Sequence, residues 1–312
     1  MRAFQRLGND VRFIGYRDIL GEKYNEMVRM LWSRSSLFRD FSAPLWLAKL
    51  NEKFLETARI FHPDLILSVK GETLLPKYIN KLRDESGARL GLWAPDDPRF
   101  FSSLTAHIAP YYDVVFTFSQ KAIDLYKPIS VSNVYRLPFG CDPEIHNGVL
   151  NSQSLLKRAL FIGSYSPKRF SFIRKLVRNG VPIDIIGPKW PFPFNKYVVG
   201  PSVLGSQYVR KIQAYSVILN IHQNIEYGPN MRTFEVTGSG GVLLSDRVED
   251  VTDFFTEGAD IMVYDSFKDA AQKIKYIIEN PDVSYAIATN GQKKCYTKDT
   301  YDERARQILK LL

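Results

Sequence analysis

The sequence predicts an α/β protein built from two parallel-sheet halves, and three features of the 312-residue chain carry that prediction. Short β-branched or apolar runs alternate with longer amphipathic stretches almost from end to end, the pattern of parallel α/β sheets. The alternation restarts near the middle, after a turn-rich segment. The length suits two cores of about 100–200 residues better than one.

In the first half the runs at 11–16, 64–69, 88–93, 113–118 and 133–137 read as strands. Between the first two, Leu47, Leu50, Phe54, Ala58 and Phe61 recur at helical spacing on one face. Pro63, directly after His62, stops that helix before the next strand. The chain opens on helix-compatible residues 1–7, with Gly8-Asn9 as a C-cap ahead of a strand from Val11. Doubly wound sheets normally begin with a central strand. The first sheet is therefore expected to lack its usual first strand, with a start missing upstream.

Gly140-Cys141-Asp142-Pro143 is turn chemistry and residues 147–154 are polar, which places the division near 145/146. The second half then offers strands at 159–162, 183–186, 216–221, 241–244 and 260–264. Phe267, Ala270, Ala271, Ile274, Ile277 and Ile278 form the apolar face of a following helix, which Asn280-Pro281 ends. Two more helices complete the chain. The expected domains are 1–145, 146–298, and a closing helix, 299–312.

Composition narrows the function classes. With 45% hydrophobic and 24% charged residues the balance is globular, and aromatics at 13% suit clefts that grip rings. Lys and Arg number 42 against 33 Asp and Glu, a net charge of +9. That surplus suits phosphorylated ligands, but a solvated basic surface explains it equally. The cations are scattered and no nucleic-acid motif accompanies them, so no nucleic-acid partner is expected. Cys141 and Cys295 lie far apart without metal spacing, which points to a reducing, cytoplasmic setting. No run approaches 18 apolar residues, so the protein is expected to be soluble or at most peripheral at the inner membrane face.

Three segments carry candidate chemistry. Phe161-Ile162-Gly163-Ser164-Tyr165-Ser166-Pro167-Lys168-Arg169 runs from a strand through a small-residue loop into a helix with two cations in its first turn. Loop amides, a helix N-terminus and side-chain charge together suit a diphosphate, although an ordinary βα turn has the same look. Gly228-Pro229-Asn230-Met231-Arg232-Thr233-Phe234-Glu235 reads as a loop and a short helix capped by Asn230, followed by a Gly-rich turn. A cation in a first helical turn opposes the helix dipole, so Arg232 implies a nearby anion, and Glu235 can accept from a ribose diol. Surface pairing of Arg232 with Glu235 is the plainer alternative. Trp93-Ala94-Pro95-Asp96-Asp97-Pro98 follows a strand, where open α/β sheets bind ligands; Asp96 and Asp97 suit hydroxyl recognition or a general base, and Asp-Pro is also plain turn chemistry. His222 and Gly187 close strands in the second half. A hydrogen-bonded structural histidine is as good a reading of His222, and core packing the stronger one for Trp190. The other histidines, His62, His107 and His146, show no metal spacing.

Asn230 through Glu235 with its Gly-rich turn resembles the CgeB-like (spore-maturation protein type) glycosyltransferases of the GT-B superfamily. So do Val242-Leu243-Leu244-Ser245-Asp246, Phe254-Phe255, Glu257-Gly258, Ile287 to Gln292, and Thr300-Tyr301 with Arg304. In the first half the resemblance rests on His62 to Ser68, Trp93 to Pro98 and Leu137 to Pro143. It implies a GT-B fold of two facing Rossmann-like domains, the last helix crossing back to the first. It implies a metal-independent transferase with no cofactor, whose substrate is a UDP- or GDP-type nucleotide sugar and whose acceptor is a glycan, lipid or protein; a nucleotide-sugar-binding protein of the same fold without transfer activity is the alternative reading, and a nucleic-acid-binding regulator a more remote one. Gly163, Ser164, Lys168, Arg169, Gly187, His222, Asn230 and Thr233 would bind the donor. Arg232, Glu235 and Asp97 would be catalytic, with Asp96 and Trp93 on the acceptor side. Retaining members often pair glutamates eight residues apart; Glu226 and Glu235 are nine apart here, which leaves the stereochemistry open.

Overall fold

The computed structural model describes residues 1–15, 36–148, 155–223 and 228–312. The chain divides into two units, Met1–Pro138 with Ala305–Leu312, and Phe139–Arg304. The division falls upstream of 145, so the turn residues Cys141 and Asp142 belong to the second unit.

The first unit opens with helix α1 (Arg2–Arg6), and Gly8 follows at φ +84. Residues 11–15 form no strand, although their pattern suggests one; Tyr16 lies outside the described residues. Alternation makes a run strand-capable, but only a neighbouring backbone makes it a strand. The sheet is parallel with order β1-β2-β3-β4, built from β1 (Leu65–Val69), β2 (Arg89–Ala94), β3 (Val114–Thr117) and β4 (Val134–Arg136). Every residue of β3 is buried, as expected of a parallel strand covered on both faces.

Helix α2 (Ser36–Phe61) ends two residues before Pro63, and its Leu55 and Ala58 pack on Tyr78 and Leu82 of α3 (Pro76–Ser86). Buried Asn51 ties α2 to the loop ahead of α3. Its Nδ2 donates to Leu47 O at 2.7 Å and Thr73 O at 2.8 Å, and its Oδ1 accepts from Leu75 N–H at 3.0 Å.

The second unit holds a six-stranded parallel sheet in the order β10-β9-β8-β5-β6-β7. Its strands are β5 (Leu156–Ile162), β6 (Ile183–Ile186), β7 (Val198–Gly200), β8 (Tyr215–Asn220), β9 (Leu243–Asp246) and β10 (Met262–Tyr264). This is the doubly wound dinucleotide-fold order, with its switch point between β5 and β8. β7 has only three residues, too few for a periodic signal, and escapes the sequence reading. β9 and β10 begin two residues later than expected.

Strand β5 shows how the sheet is covered. Ala159 and Phe161 join one core cluster while Leu160 and Ile162 join the other, the two-residue alternation of a strand packed on both sides. Helices α4 (Pro167–Arg178) and α7 (Phe267–Glu279) share the first cluster through Ile173, Leu176, Ala270, Ile274 and Ile277. Helix α5 (Gly205–Gln213) adds Tyr208 and Ile212 to the second, with Phe234 and Val236 of α6 (Met231–Gly238).

Helix α8 (Pro281–Lys298) follows Asn280, and α9 (Tyr301–Leu311) ends the chain. The unit division runs through α9: Ile308 shares a core with Val114, Phe116 and Leu137 of the first unit. Cys141 and Cys295, remote in sequence, meet in the second unit with their Sγ atoms 3.4 Å apart, both buried and free. Among the described residues no helix is long and apolar enough to cross a membrane.

Candidate functional site

Loops leaving adjacent parallel strands on either side of a switch point enclose a crevice, because their crossovers run to opposite faces of the sheet. Here β5 delivers Gly163 to Ser166, and β8 delivers Ile221 to Gln223. Ser166 caps α4, its Oγ accepting from Arg169 N–H at 3.3 Å, and Pro167 occupies the first helical position.

Gly187 ends β6 against this loop at φ +142, and a Cβ there would lie 2.4 Å from Gly163 O. Only glycine fits that contact. Trp190 closes the same corner, its Nε1 donating to Gly163 O at 3.1 Å and its ring packed edge-on against Phe161. It is a core residue, 7% exposed. Gly187→Ala is expected to lower stability by more than about 1 kcal/mol, read as a lower midpoint in urea unfolding.

Asn230 caps α6 with its Oδ1 accepting from Thr233 N–H at 3.3 Å. Two buried residues hold that cap. Asn220, at the end of β8, exchanges hydrogen bonds with the Asn230 amide at 3.2 Å in both directions. His222 accepts from Asn230 N–H through Nε2 at 3.0 Å, and its Nδ1 lies 2.6 Å from Asp246 Oδ1. With Nε2 accepting, Nδ1 carries the proton and donates to Asp246. Both ring nitrogens are thus engaged, and His222 aligns the helix N-terminus instead of facing a ligand.

The cations divide by role. Arg169, expected on a diphosphate, is buried, with Nη1 donating to Ser164 O at 3.2 Å and Nε and Nη2 to Ile221 O at 3.3 Å. It links the loops after β5 and β8. Burial first, and then the positive charge of Arg232, push its pKa down to about 10. Lys168 is partly exposed, with Nζ 3.4 Å from Gln223 O and 3.9 Å from Asp246 Oδ2. Arg232 Nη1 donates to Asn220 Oδ1 at 3.1 Å, while its buried Nε has no hydrogen-bond partner among the described residues. Thr233 is fully buried and its Oγ1 is likewise without a partner.

Glu235 is half-buried, one turn beyond Arg232. Its charge acts on Tyr208, Tyr301 and His146. Burial lowers the His146 pKa while Glu235 works against that shift. Gly163 and Ser164 border the crevice, Ser164 exposed. Glu226 lies outside the described residues.

The structure thus gathers Gly163, Ser164, Lys168, Arg169, Gly187, His222, Asn230, Arg232, Thr233 and Glu235 within the second unit. Trp93, Asp96 and Asp97 lie in the first. There Asp96 pairs with Lys70 at 2.6 Å beside a small hollow of about 60 Å³. Asp97 is 1% exposed and accepts from Tyr126 at 2.6 Å and Thr105 at 2.9 Å. With both oxygens engaged, it anchors its loop.

Burial raises the Asp97 pKa above the ordinary 3.8, against the pull of the two hydroxyls. The folded protein therefore holds this proton more tightly than the unfolded chain. Its stabilising share is complete below that ordinary value and is lost as pH rises through the raised one. Asp97→Asn should remove this decline, so the variant gains on the unaltered protein as pH climbs from about 4 toward neutrality in thermal unfolding.

Sequence reasoning missed Asn220 as a site residue, and named Asp246 only within the segment Val242 to Asp246, without a role. A polar residue closing the apolar run Val217-Ile218-Leu219 was the available signal for Asn220. Nothing local marked the contact of Asp246 with His222, 24 residues away.

Comparison with known proteins fits this geometry. Sucrose-phosphate synthase from Thermosynechococcus elongatus superposes at a TM-score of 0.63 and 12% identity, over 85% of this chain and 77% of that one. Anabaena HepE, solved with UDP and glucose, superposes at 0.62 and 14% identity, over 84% and 80%. The lipopolysaccharide outer core galactosyltransferase WaaB does so at 0.59 and 15% identity, over 86% and 80%. A search of curated proteins finds no match. Residues 169–310, which begin at Arg169 within α4 and include the whole of α6, match the family described as glycosyl transferase-like. The chain has the two-sheet α/β fold of the GT-B glycosyltransferases, and residues 169–310 are similar to the glycosyl transferase-like family.

Proposed function

We propose that the protein is a glycosyltransferase that binds a nucleotide sugar in the β5/β8 crevice of its second unit and passes the sugar to a glycan, lipid or protein acceptor. The observation that carries this reading is Arg232, whose buried Nε has no hydrogen-bond partner among the described residues, beside the capped N-terminus of α6 and close enough to Arg169 for its charge to act there. Cleaving the bond between sugar and diphosphate leaves negative charge on the departing group, and fixed donors stabilise it without reorganising. Arg232, Lys168, the Gly163-Ser164 amides and the α6 N-terminus would supply them, with no metal required.

In this reading Arg169 and His222 hold the frame, and Glu235 takes the ribose hydroxyls. Asp96 and Trp93 serve the acceptor, and Asp97 fixes their loop. UDP is the first donor nucleotide to test, because HepE was solved with UDP and the fold is shared. The segment from Asn230 to Glu235 supports the narrower CgeB-like membership.

A thermal-shift series with UDP, GDP, UDP-glucose and other nucleotide sugars tests the reading. A ligand present at a hundred times its Kd stabilises the fold by about 2.7 kcal/mol. Donor hydrolysis or transfer, unchanged by EDTA, is the expected companion result. Binding with no turnover on any acceptor would make the protein a nucleotide-sugar carrier, and no binding at all would end the reading.

A further inference from the structure

The net charge of +9 is unevenly placed along the chain. Residues 145–225 hold eleven Lys and Arg against one acid, Asp184, while the rest of the chain holds 31 cations and 32 acids. Asp184 itself is engaged by Arg158 at 2.8 Å and by the Tyr215 hydroxyl at 3.0 Å. Much of this surplus surrounds β7, the last strand on its side of the second sheet. Lys189 and Lys196, both exposed, lie on the loop that enters β7, and exposed Arg210 and Lys211 lie on α5, which follows it. Helix α4 adjoins the entering loop through Phe170, whose ring meets Phe194 edge-on at 4.8 Å. Arg174 lies over the Phe170 ring at 5.6 Å, and Arg178 is one turn further along the same face of α4.

The same edge carries the two most exposed large apolar side chains among the described residues, Phe192 at 86% and Leu204 at 85%, with Val199 of β7 at 47%. Phe192 is held out by its neighbours. On one side Trp190 is buried and donates to Gly163 O at 3.1 Å; on the other Phe194 is buried against Phe170 and Tyr197. Pro191 and Pro193 have no N–H, so the projecting loop has few donors to desolvate on leaving water. A single exposed apolar group is ordinary, but anchored apolar tips among cations suit the interface of an anionic lipid surface.

We propose that the β7 edge of the second unit is a membrane-binding surface, where Phe192 and Leu204 enter the interface of an anionic bilayer while the surrounding lysines and arginines meet its headgroups. Such binding is independent of what the β5/β8 crevice holds. Nucleic acid offers phosphates to the cations but no apolar layer for Leu204 and Val199. A second copy of the chain offers an apolar patch, but pairing the two edges would set like charge against like.

Flotation of the full chain with lipid vesicles tests the surface directly. Vesicles of phosphatidylglycerol and phosphatidylcholine in equal parts should carry the protein upward, phosphatidylcholine alone should not, and binding should fall as salt rises. Phe192→Ser with Leu204→Ser should weaken binding about tenfold or more, from the lost apolar burial. Lys189→Gln with Lys196→Gln should weaken it about twenty-five-fold, about fivefold for each cation near the surface. All four positions are exposed, so both double variants should melt with the unaltered chain. Phe192→Trp should add emission that shifts to the blue on the mixed vesicles. Absence of flotation with the mixed vesicles overturns the proposal, as does flotation that either double variant leaves unchanged. Tighter binding to an oligonucleotide than to the vesicles would assign the edge to nucleic acid. A dimer in sedimentation that Phe192→Ser with Leu204→Ser abolishes would assign it to a second copy, and either result overturns the membrane assignment.

Discussion

Arg232→Ala is expected to cut turnover about a hundredfold while leaving the protein folded, the usual effect of losing one fixed donor to a developing negative charge. The expectation follows from where the guanidinium stands. Its Nη1 is held by Asn220 at 3.1 Å, and its Nε is buried without a partner among the described residues. Its positive charge also lowers the pKa of Arg169, so two like charges are kept close together. Such crowding is unfavourable until an anion arrives. Removing Arg232 should therefore affect the ligand-free fold little, since Asn220 retains its exchange with Asn230. Steady-state kinetics with saturating donor, beside a thermal melt of the free protein, separates the two effects. Undiminished turnover in Arg232→Ala would remove the residue from the mechanism.

His222→Ala is expected to act on both stability and binding. The imidazole donates to buried Asp246 at 2.6 Å and accepts from Asn230 N–H at 3.0 Å. Losing it leaves a buried amide without its acceptor and a carboxylate with one donor fewer, a penalty of about 2–3 kcal/mol. The α6 N-terminus loses its alignment at the same step, so UDP affinity should fall about tenfold, as for one charge-assisted contact displaced. Urea unfolding gives the first quantity and UDP titration the second. A variant that loses stability but binds UDP as tightly as before would show that the helix N-terminus does not meet the nucleotide.

These expectations differ from a reading of the sequence alone chiefly at Arg169, His222 and Asp97. Each was a sound candidate by type and position, at or near the carboxyl end of a strand. What distinguishes them is the partner the fold supplies. Arg169 reaches Ile221, 52 residues away; His222 meets Asp246, 24 away; and Asp97 meets Tyr126, 29 away. No spacing rule announces contacts of that kind. Arg232 stood out in the sequence because a cation in a first helical turn is locally unfavourable. That discord is a local signal, and the structure leaves its Nε without a partner among the described residues.

The sequence by itself determined the α/β alternation, nearly all the strands, the Asn230 cap and the helix stops at Pro63 and Pro281. Backbone hydrogen bonding and side-chain alternation act over a few residues, so they leave a local record. Tertiary structure alone decided the sheet orders, the meeting of Cys141 with Cys295 across 154 residues, and which charged side chains stay available to a ligand. Those outcomes depend on burial and on partners brought from remote parts of the chain, and a buried charge takes its role from its surroundings more than from its neighbours in sequence.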